Sequence, residues 1–167
     1  MLANKTALIT GSTSGIGLGI AKALARQGAN IMLNGFGDVE GAQREVAALG
    51  VKVGYHGADM SKPAEIEDLM SFAASTFGRV DVLVNNAIYQ GSDLNLPFMT
   101  LGLDTLQRVF QGYVMAPVVL TQSLLPAMLV QGGGTVINVS SGAGESDPPV
   151  ATGKGGWGYA YGAGKAA

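Results

Sequence analysis

The sequence predicts an α/β fold built on a doubly wound parallel sheet. Three observations carry that prediction. Short apolar segments rich in β-formers alternate with segments whose apolar residues recur at helical spacing. The chain has 26 glycines, and they fall at the junctions between these segments, where tight turns and close backbone approach need them. Each strand-like segment runs into a loop carrying glycine, amide or hydroxyl residues, at the sheet end where such folds bind ligands.

The elements follow in order. Residues 5–10 (KTALIT) read as a strand, and residues 15–28 as a helix stopped by Gly28. Residues 30–34 (NIMLN) read as a strand, 39–50 as a second glycine-stopped helix, and 51–56 (VKVGYH) as a third strand. Residues 61–78 open with Ser61 and Pro63, a helix-start signature, and end at Gly78. Residues 80–86 (VDVLVNN) read as a buried strand. A long helix follows over about 104–129, interrupted at Gly112 and Pro117, and 134–141 (GTVINVSS) form a fifth strand. The order βαβαβαβαβ implies parallel strands with helices on both faces. Residues 142–158 read as a long Gly/Pro-rich loop, a length that in a compact domain points to function or disorder.

Composition bounds the rest. At 167 residues, with 47% hydrophobic and 13% charged residues, the chain can bury a core as one domain spanning 1–167. A net charge of −2 offers no basic face to nucleic acid or an anionic membrane. With no cysteine, disulfide scaffolds, thiolate metal sites and thiol nucleophiles are excluded. No leader pattern and no bilayer-length apolar run is recognised, so a cytoplasmic protein without membrane partners is expected.

Read together, the strand-end loops form one candidate site. After the first strand comes TGSTSGIG (10–17), with Gly11, Gly15 and Gly17 between a strand and a helix. That context lets backbone N–H groups and a helix N-terminus hold a pyrophosphate, although the spacing is GxxxGxG rather than GxGxxG. Asp59 follows the third strand and reads alone as a polar turn residue. NNA (85–87) follows the fourth, its amides able to satisfy loop backbone or to line a pocket. Ser141 follows the fifth. Tyr161 and Lys165, four apart on a helix, share a face. A phenol titrates near 10, and a neighbouring ammonium favours its ionised form, so the pair is a usable acid/base.

TGSTSGIG, Asp59, NNA, INVSS and YGAGK together resemble the short-chain dehydrogenase/reductase family, over the whole chain. The resemblance implies a Rossmann-type sheet binding NAD(H) or NADP(H), and hydride transfer between a secondary alcohol and a ketone. It implies Tyr161 as the acid/base, Lys165 as its partner and ribose ligand, and Ser141 as the group orienting the substrate oxygen. Gly11, Ser12, Ser14, Gly15, Ile16, Gly17 and Phe36 fall at cofactor-binding positions, Asp59 and Met60 beside adenine, and Asn86 near the nicotinamide ribose. Gln90 and Ser141 face the substrate, a small alcohol or carbonyl compound; no metal is implied, and a full-length form is implied to be a homo-oligomer.

Within the family, residues 1–87 resemble the bacterial D-3-hydroxybutyrate dehydrogenase branch, and residues 88–167 a different, less characterised branch. Ala143 and Gly158 stand where the first branch has a histidine and a lysine for substrate recognition. Ile88 replaces the glycine of the usual NNAG. Tyr113 stands at the position of a catalytic asparagine, and Gly164 where a serine usually precedes the lysine. The family pattern continues past the lysine with two strands and a lid, so the fold is expected to be C-terminally truncated. A non-catalytic dinucleotide-binding fragment, chimera or pseudoenzyme is the alternative reading. The end of the second strand, near Gly35 and Phe36 with Asp38 just beyond, has no arginine or lysine for a 2′-phosphate, which favours NAD over NADP. Tyr159 is expected to pack, Trp157 to cover the loop or the substrate cleft, His56 to be structural, and Glu145 and Asp147 to be solvated.

Overall fold

The computed structural model describes residues 2–167. Five parallel strands form one sheet: β1 (Thr6–Ile9), β2 (Asn30–Asn34), β3 (Val53–His56), β4 (Val82–Asn85) and β5 (Thr135–Asn138), in the spatial order β3-β2-β1-β4-β5. The helices are α1 (Gly15–Arg26), α2 (Val39–Ala47), α3 (Pro63–Phe77), α4 (Leu103–Phe110), α5 (Ala116–Val130) and α6 (Tyr159–Ala166). The chain leaves β1 towards β3 and then returns past β1 to β4 and β5. Right-handed crossovers therefore place α1 and α2 on one face of the sheet and α3 and α5 on the other.

Strand periodicity matches this division. Ala7, Ile9, Ile31, Leu33, Val82 and Val84 pack in one buried cluster with Ala21 and Ala25 of α1 and Ala42 and Val46 of α2. The alternate residues Leu8, Met32 and Leu83 are equally buried, as are Ile66, Leu69 and Ala73 of α3. A strand apolar at every position is what a sheet covered on both faces needs. β5 differs, with all four of its residues exposed.

The described residues divide into two compact units, one of residues 2–87 with Val118–Val139, the other of Ile88–Pro117 with Ser140–Ala167. The first holds the sheet. In the second, Leu94, Val109 and Ala160 form a small core with Tyr89, Leu101, Leu106, Tyr113 and Tyr161 packed around it.

Several sequence expectations shift in detail. α3 starts at Pro63 with Lys62 as its cap residue, because Ser61 instead donates its N–H to Asp59 Oδ1 at 2.9 Å. Its stop is as expected: Gly78 adopts φ +75°, a left-handed conformation costly for other residues. Gly112 and Pro117 do not break the long helix. A π turn over Gln111–Met115 joins α4 to α5, a wider turn of the kind that accommodates a proline's missing N–H and ring. The expectation of no bilayer-length apolar run is overturned, since the helix Leu103–Val130 is by length and composition apolar enough to cross a membrane. The reason is that no charge follows Arg108 over residues 109–130, while Gln, Thr and Ser lower the hydropathy only slightly. Its buried positions Val109, Ala116, Leu120, Leu124 and Met128 recur at seven- and four-residue steps, so they share one stripe of the helix. The 142–158 segment holds a short 3-10 turn, Gly142–Gly144, and a bridge between Thr152 and Gly156.

Asp81 ties β1 to the start of β4. Its carboxylate accepts from Thr6 N–H at 3.0 Å and from Lys5 Nζ at 3.1 Å, and pairs with Arg79, while its carbonyl accepts from Thr135 N–H. Burial alone would raise this carboxyl. The bonds to Arg79, Thr6 and Lys5 outweigh it and hold the group below its ordinary 3.8. A lowered acid contributes its stability fully above 3.8 and loses it as the pH falls through the native value. Asp81→Ala is expected to cost about 2 kcal/mol at neutral pH by denaturant unfolding. The gap between variant and parent should close as the pH drops below 3.8.

Candidate active site

In the first unit the residues converge on the loop between β1 and α1. Gly11 takes φ +61° and Gly15 φ +54°. A Cβ on Gly17 would lie 2.2 Å from the Gly11 carbonyl oxygen and 2.6 Å from Asn86 Nδ2, so only glycine fits there. The loop is therefore a backbone cradle opening onto the N-terminus of α1, the arrangement that suits a pyrophosphate. Ser14 is the N-cap residue of α1 and makes no side-chain cap bond. It is exposed with Gly15 and Ile16 at the helix mouth. Ser12 is fully buried, its hydroxyl donating to Ile9 O at 2.7 Å and accepting from Asn34 N–H at 3.1 Å. Ser12 thus shapes the loop from inside.

Two polar hubs hold this cradle. Thr10 Oγ1 accepts from the N–H groups of both Asn86 and Ala87 at 3.0 Å. Asn86 returns its Nδ2 to the carbonyls of Thr10 and Gly11, each at 2.9 Å. Of the two roles open to the NNA amides, Asn86 takes that of loop brace. Asn34, 1% exposed, is the second hub. Its Oδ1 accepts from Gly11 N–H at 3.4 Å, and its Nδ2 donates to His56 O at 3.0 Å and Ala58 O at 2.8 Å. One amide so links the loops after β1, β2 and β3. Sequence reading missed Thr10 and Asn34, because a strand-end Asn or Thr looks like any polar terminus.

The remaining predicted residues of this unit lie around the same loops. Phe36 is 65% exposed, and its carbonyl accepts from Thr13 Oγ1. Asp38 caps α2 by accepting from Gly41 N–H at 2.9 Å. Asp59 forms the turn bond to Ser61 and donates its own N–H to Glu65 Oε2 at 2.8 Å; Met60 beside it is buried. His56 packs at a tilt on Phe72, ring centroids 5.5 Å apart.

The second unit carries the proposed chemistry. Tyr161 and Lys165 lie one turn apart on α6. Tyr113, from the π turn, meets Tyr161 edge-on at 6.2 Å between centroids, and Lys165 Nζ sits 5.3 Å from the centre of the Tyr113 ring. The Tyr113 hydroxyl donates to Tyr89 O at 3.2 Å. Burial, with Tyr161 beside it, pushes the Tyr113 phenol well above its ordinary value, and burial lowers the Lys165 ammonium. Tyr113 is thus a neutral aromatic wall beside Tyr161 and Lys165. Ser141 caps the Gly142–Gly144 turn, its Oγ accepting from Ala143 N–H at 3.2 Å. This turn packs on α6 so closely that a Cβ on Gly144 would lie 2.5 Å from Lys165 O. Tyr159 is 54% exposed and packs edge-on against Phe98 at 5.0 Å.

A cavity of about 390 Å³ opens beside Tyr161, lined also by Ile88, Gln90, Leu94, Asn95 and Trp157. Trp157, expected to cover a loop or cleft, is part of this wall. Residues 88–96 are fixed through Asp93, which accepts from Tyr89 Oη at 2.7 Å, Arg108 Nη2 at 2.8 Å and Thr105 Oγ1. The Thr105 and Tyr89 hydroxyls, then Arg108, hold the Asp93 carboxyl far below the usual carboxylate range. Asn95 Oδ1 accepts from Gly158 N–H at 2.9 Å, joining the cavity loop to the N-terminus of α6. No sequence signal marks that bond between residues 63 apart.

Gly164 is where Tyr113 has left its mark. A Cβ there would lie 2.5 Å from Val109 Cγ1 and 2.6 Å from Tyr113 Cδ2. Gly→Ala inside an exposed helix stabilises by up to about 1 kcal/mol. Overpacking reverses the sign here, and Gly164→Ala is expected to destabilise by about 1–3 kcal/mol. Denaturant unfolding of the variant measures it.

The short chain dehydrogenase family model matches residues 5–167. The chain is 52% identical over 143 residues to D-beta-hydroxybutyrate dehydrogenase of Cupriavidus necator, covering 84% of this chain and 54% of that protein. Thus it spans about half the length of the curated relatives it matches. A metagenomic short-chain oxidoreductase solved in complex with NADP superposes with a TM-score of 0.84 at 34% identity, over 98% of this chain and 71% of that one. NAD+-bound xylitol dehydrogenase superposes with a TM-score of 0.85 at 28% identity, over 99% and 61%. With the glycine cradle after β1, the tyrosine–lysine pair on α6 and a family match over nearly its whole length, the chain belongs to the short-chain dehydrogenase family.

Proposed function

We propose that this protein is an NAD(P)-dependent oxidoreductase that interconverts a secondary alcohol and a ketone, with Tyr161 as the proton-transfer group. The observation that carries the reading is Tyr161 itself. Tyr161 is among the residues lining the cavity, and Lys165 stands one turn on with its ammonium partly desolvated.

The cradle of Gly11, Gly15 and Gly17 fits a dinucleotide pyrophosphate, since it presents backbone without side-chain bulk at a helix N-terminus. The bound nicotinamide would supply hydride in reduction and accept it in oxidation. In reduction, Tyr161 Oη gives its proton to the carbonyl oxygen as the carbon gains hydride. In oxidation, it takes the hydroxyl proton as hydride leaves the carbon. Ser141 orients the substrate oxygen. Lys165 offers donors to the ribose hydroxyls and positive charge near the phenol. Gln90 contributes to substrate binding.

NAD is the preferred form on this reading. The loop Gly35–Asp38 carries no cation, and the Asp38 carboxylate is held there by its capping bond to Gly41. A 2′-phosphate would meet negative charge where it needs a guanidinium or ammonium. One solved relative holds NADP and another NAD+, so this preference rests on the chain's own loop.

Tyr161→Phe is expected to lower turnover of a responsive alcohol by a factor of about 10² to 10⁴ while NADH binding stays within about twofold. Following nicotinamide absorbance and titrating NADH with each form checks this. Unchanged turnover would remove Tyr161 from the role; NADH binding without turnover in the parent would favour the non-catalytic alternative. Gly17→Ala should weaken NADH binding at least about tenfold, through the clash with the Gly11 carbonyl. Calorimetry should also find NADH tighter than NADPH, and the reverse order would overturn the cofactor preference.

A further inference from the structure

The cavity beside Tyr161 carries information about charge. The residues that line it are Gln90 and Asn95, which carry amides, Tyr161, Trp157, the aliphatic Ile88 and Leu94, and three glycines. Every one of these groups is neutral. The nearest cations along the chain, Lys154 and Lys165, do not line it, and Lys165 is directed to the Tyr113 ring. Position 158, at the N-terminus of α6, cannot hold a side chain without displacing backbone. A Cβ there would lie 2.9 Å from Asn95 Cα and 3.1 Å from Leu94 O.

The polar groups that do line the cavity suit hydroxyls. An amide offers both a donor and an acceptor, and a hydroxyl group can meet either. Asn95 has its Oδ1 committed to Gly158 and presents Nδ2 as a donor. Trp157 supplies an apolar face, and its backbone is held by Thr152, whose Oγ1 donates to Trp157 O at 3.2 Å. A carboxylate entering here gives up part of its hydration and meets no compensating charge, while a neutral hydroxyl of similar size exchanges water for amide partners.

We infer that this cavity selects an uncharged, hydroxyl-bearing ketone or secondary alcohol over a hydroxy-carboxylate. The inference rests on the reading of the cavity beside Tyr161 as the substrate site, and binding tests it separately from whether the chain turns a substrate over. Trp157 is the only tryptophan in the chain, so intrinsic fluorescence reports on the cavity alone.

The test titrates the protein, with indole emission as readout, using two pairs matched in carbon skeleton and different in charge. These are sorbitol with gluconate, and 3-hydroxybutyramide with 3-hydroxybutyrate. In each pair the neutral member is expected to bind at least about fivefold more tightly. Ile88→Lys, which places an ammonium on the cavity wall, is expected to narrow or reverse that ratio. An acid that binds as tightly as its neutral partner in the parent overturns the inference, and so does the absence of any indole response to both neutral compounds. Absorbance assays with NAD+ run in parallel separate the two claims. Neutral binding without turnover sinks the oxidoreductase reading and leaves the charge selection standing. Turnover confined to the acids sinks the charge selection alone.

Discussion

The amide of Asn34 is the constraint on which the glycine loop between β1 and α1 depends. A loop of three glycines supplies backbone N–H groups to an anion, yet glycine has more freedom to lose on ordering than any other residue. Something outside the loop must hold it. Asn34 does so from the buried end of β2, with both ends of its amide and its own backbone bonded to the loops after β1 and β3. Thr10 and Asn86 repeat the device on the β4 side. These networks are internally satisfied, and satisfied buried polar groups rigidify where unsatisfied ones would destabilise. The flexibility that lets a backbone approach a phosphate is thus confined by side chains that never touch it.

The second unit solves a related problem with aromatic packing. A phenol used for proton transfer needs a fixed position and a cation nearby. Tyr113 gives Lys165 a ring face to lie over and Tyr161 an edge to rest on, and its own hydroxyl is tied to Tyr89 O. It remains a neutral phenol throughout the working pH range, because burial disfavours its ionised form. The consequence reaches Gly164. The ring occupies the space a side chain there would need, so a poor helix former is retained for shape.

How much of this was legible in the sequence varied with the range of the interaction. Strand and helix placement was legible because period and glycine stops are local; β2 falls over the very residues 30–34 that its pattern marked. Ends moved where the last residues turn before the glycine, as α2 does at Ala47. The turns at Gly11 and Gly15 and the one-turn spacing of Tyr161 and Lys165 on α6 were legible because turn and helix geometry are local. The hubs were not. Asn34, Asn95 and Asp93 act on partners 22 to 24, 63 and up to 15 residues away, and nothing in their own neighbourhoods announces it. The apolar reach of Leu103–Val130 was missed for the opposite reason: scattered Gln, Thr and Ser disguise a stretch that carries no charge after Arg108.

Helix α6 shows why local propensity is a poor guide at such a site. It has eight residues, two of them glycines, and no side-chain cap on its N-cap residue Gly158. An isolated peptide of that length and composition would not be helical in water. Within its unit it is held by contacts that have nothing to do with propensity. Asn95 accepts its first N–H, Ala160 is fully buried in the core with Leu94 and Val109, and the Gly142–Gly144 turn presses backbone against the Lys165 carbonyl. Each of these contacts requires a small residue: Gly158 for the approach to Asn95, Gly144 for that to Lys165, and Gly164 for the Tyr113 ring. Glycines within and around α6, Gly164 in the helix, Gly158 at its cap and Gly144 in the facing turn, are therefore what allow it to be gripped on several sides, and that grip, rather than helical stability, sets where the Tyr161 hydroxyl stands.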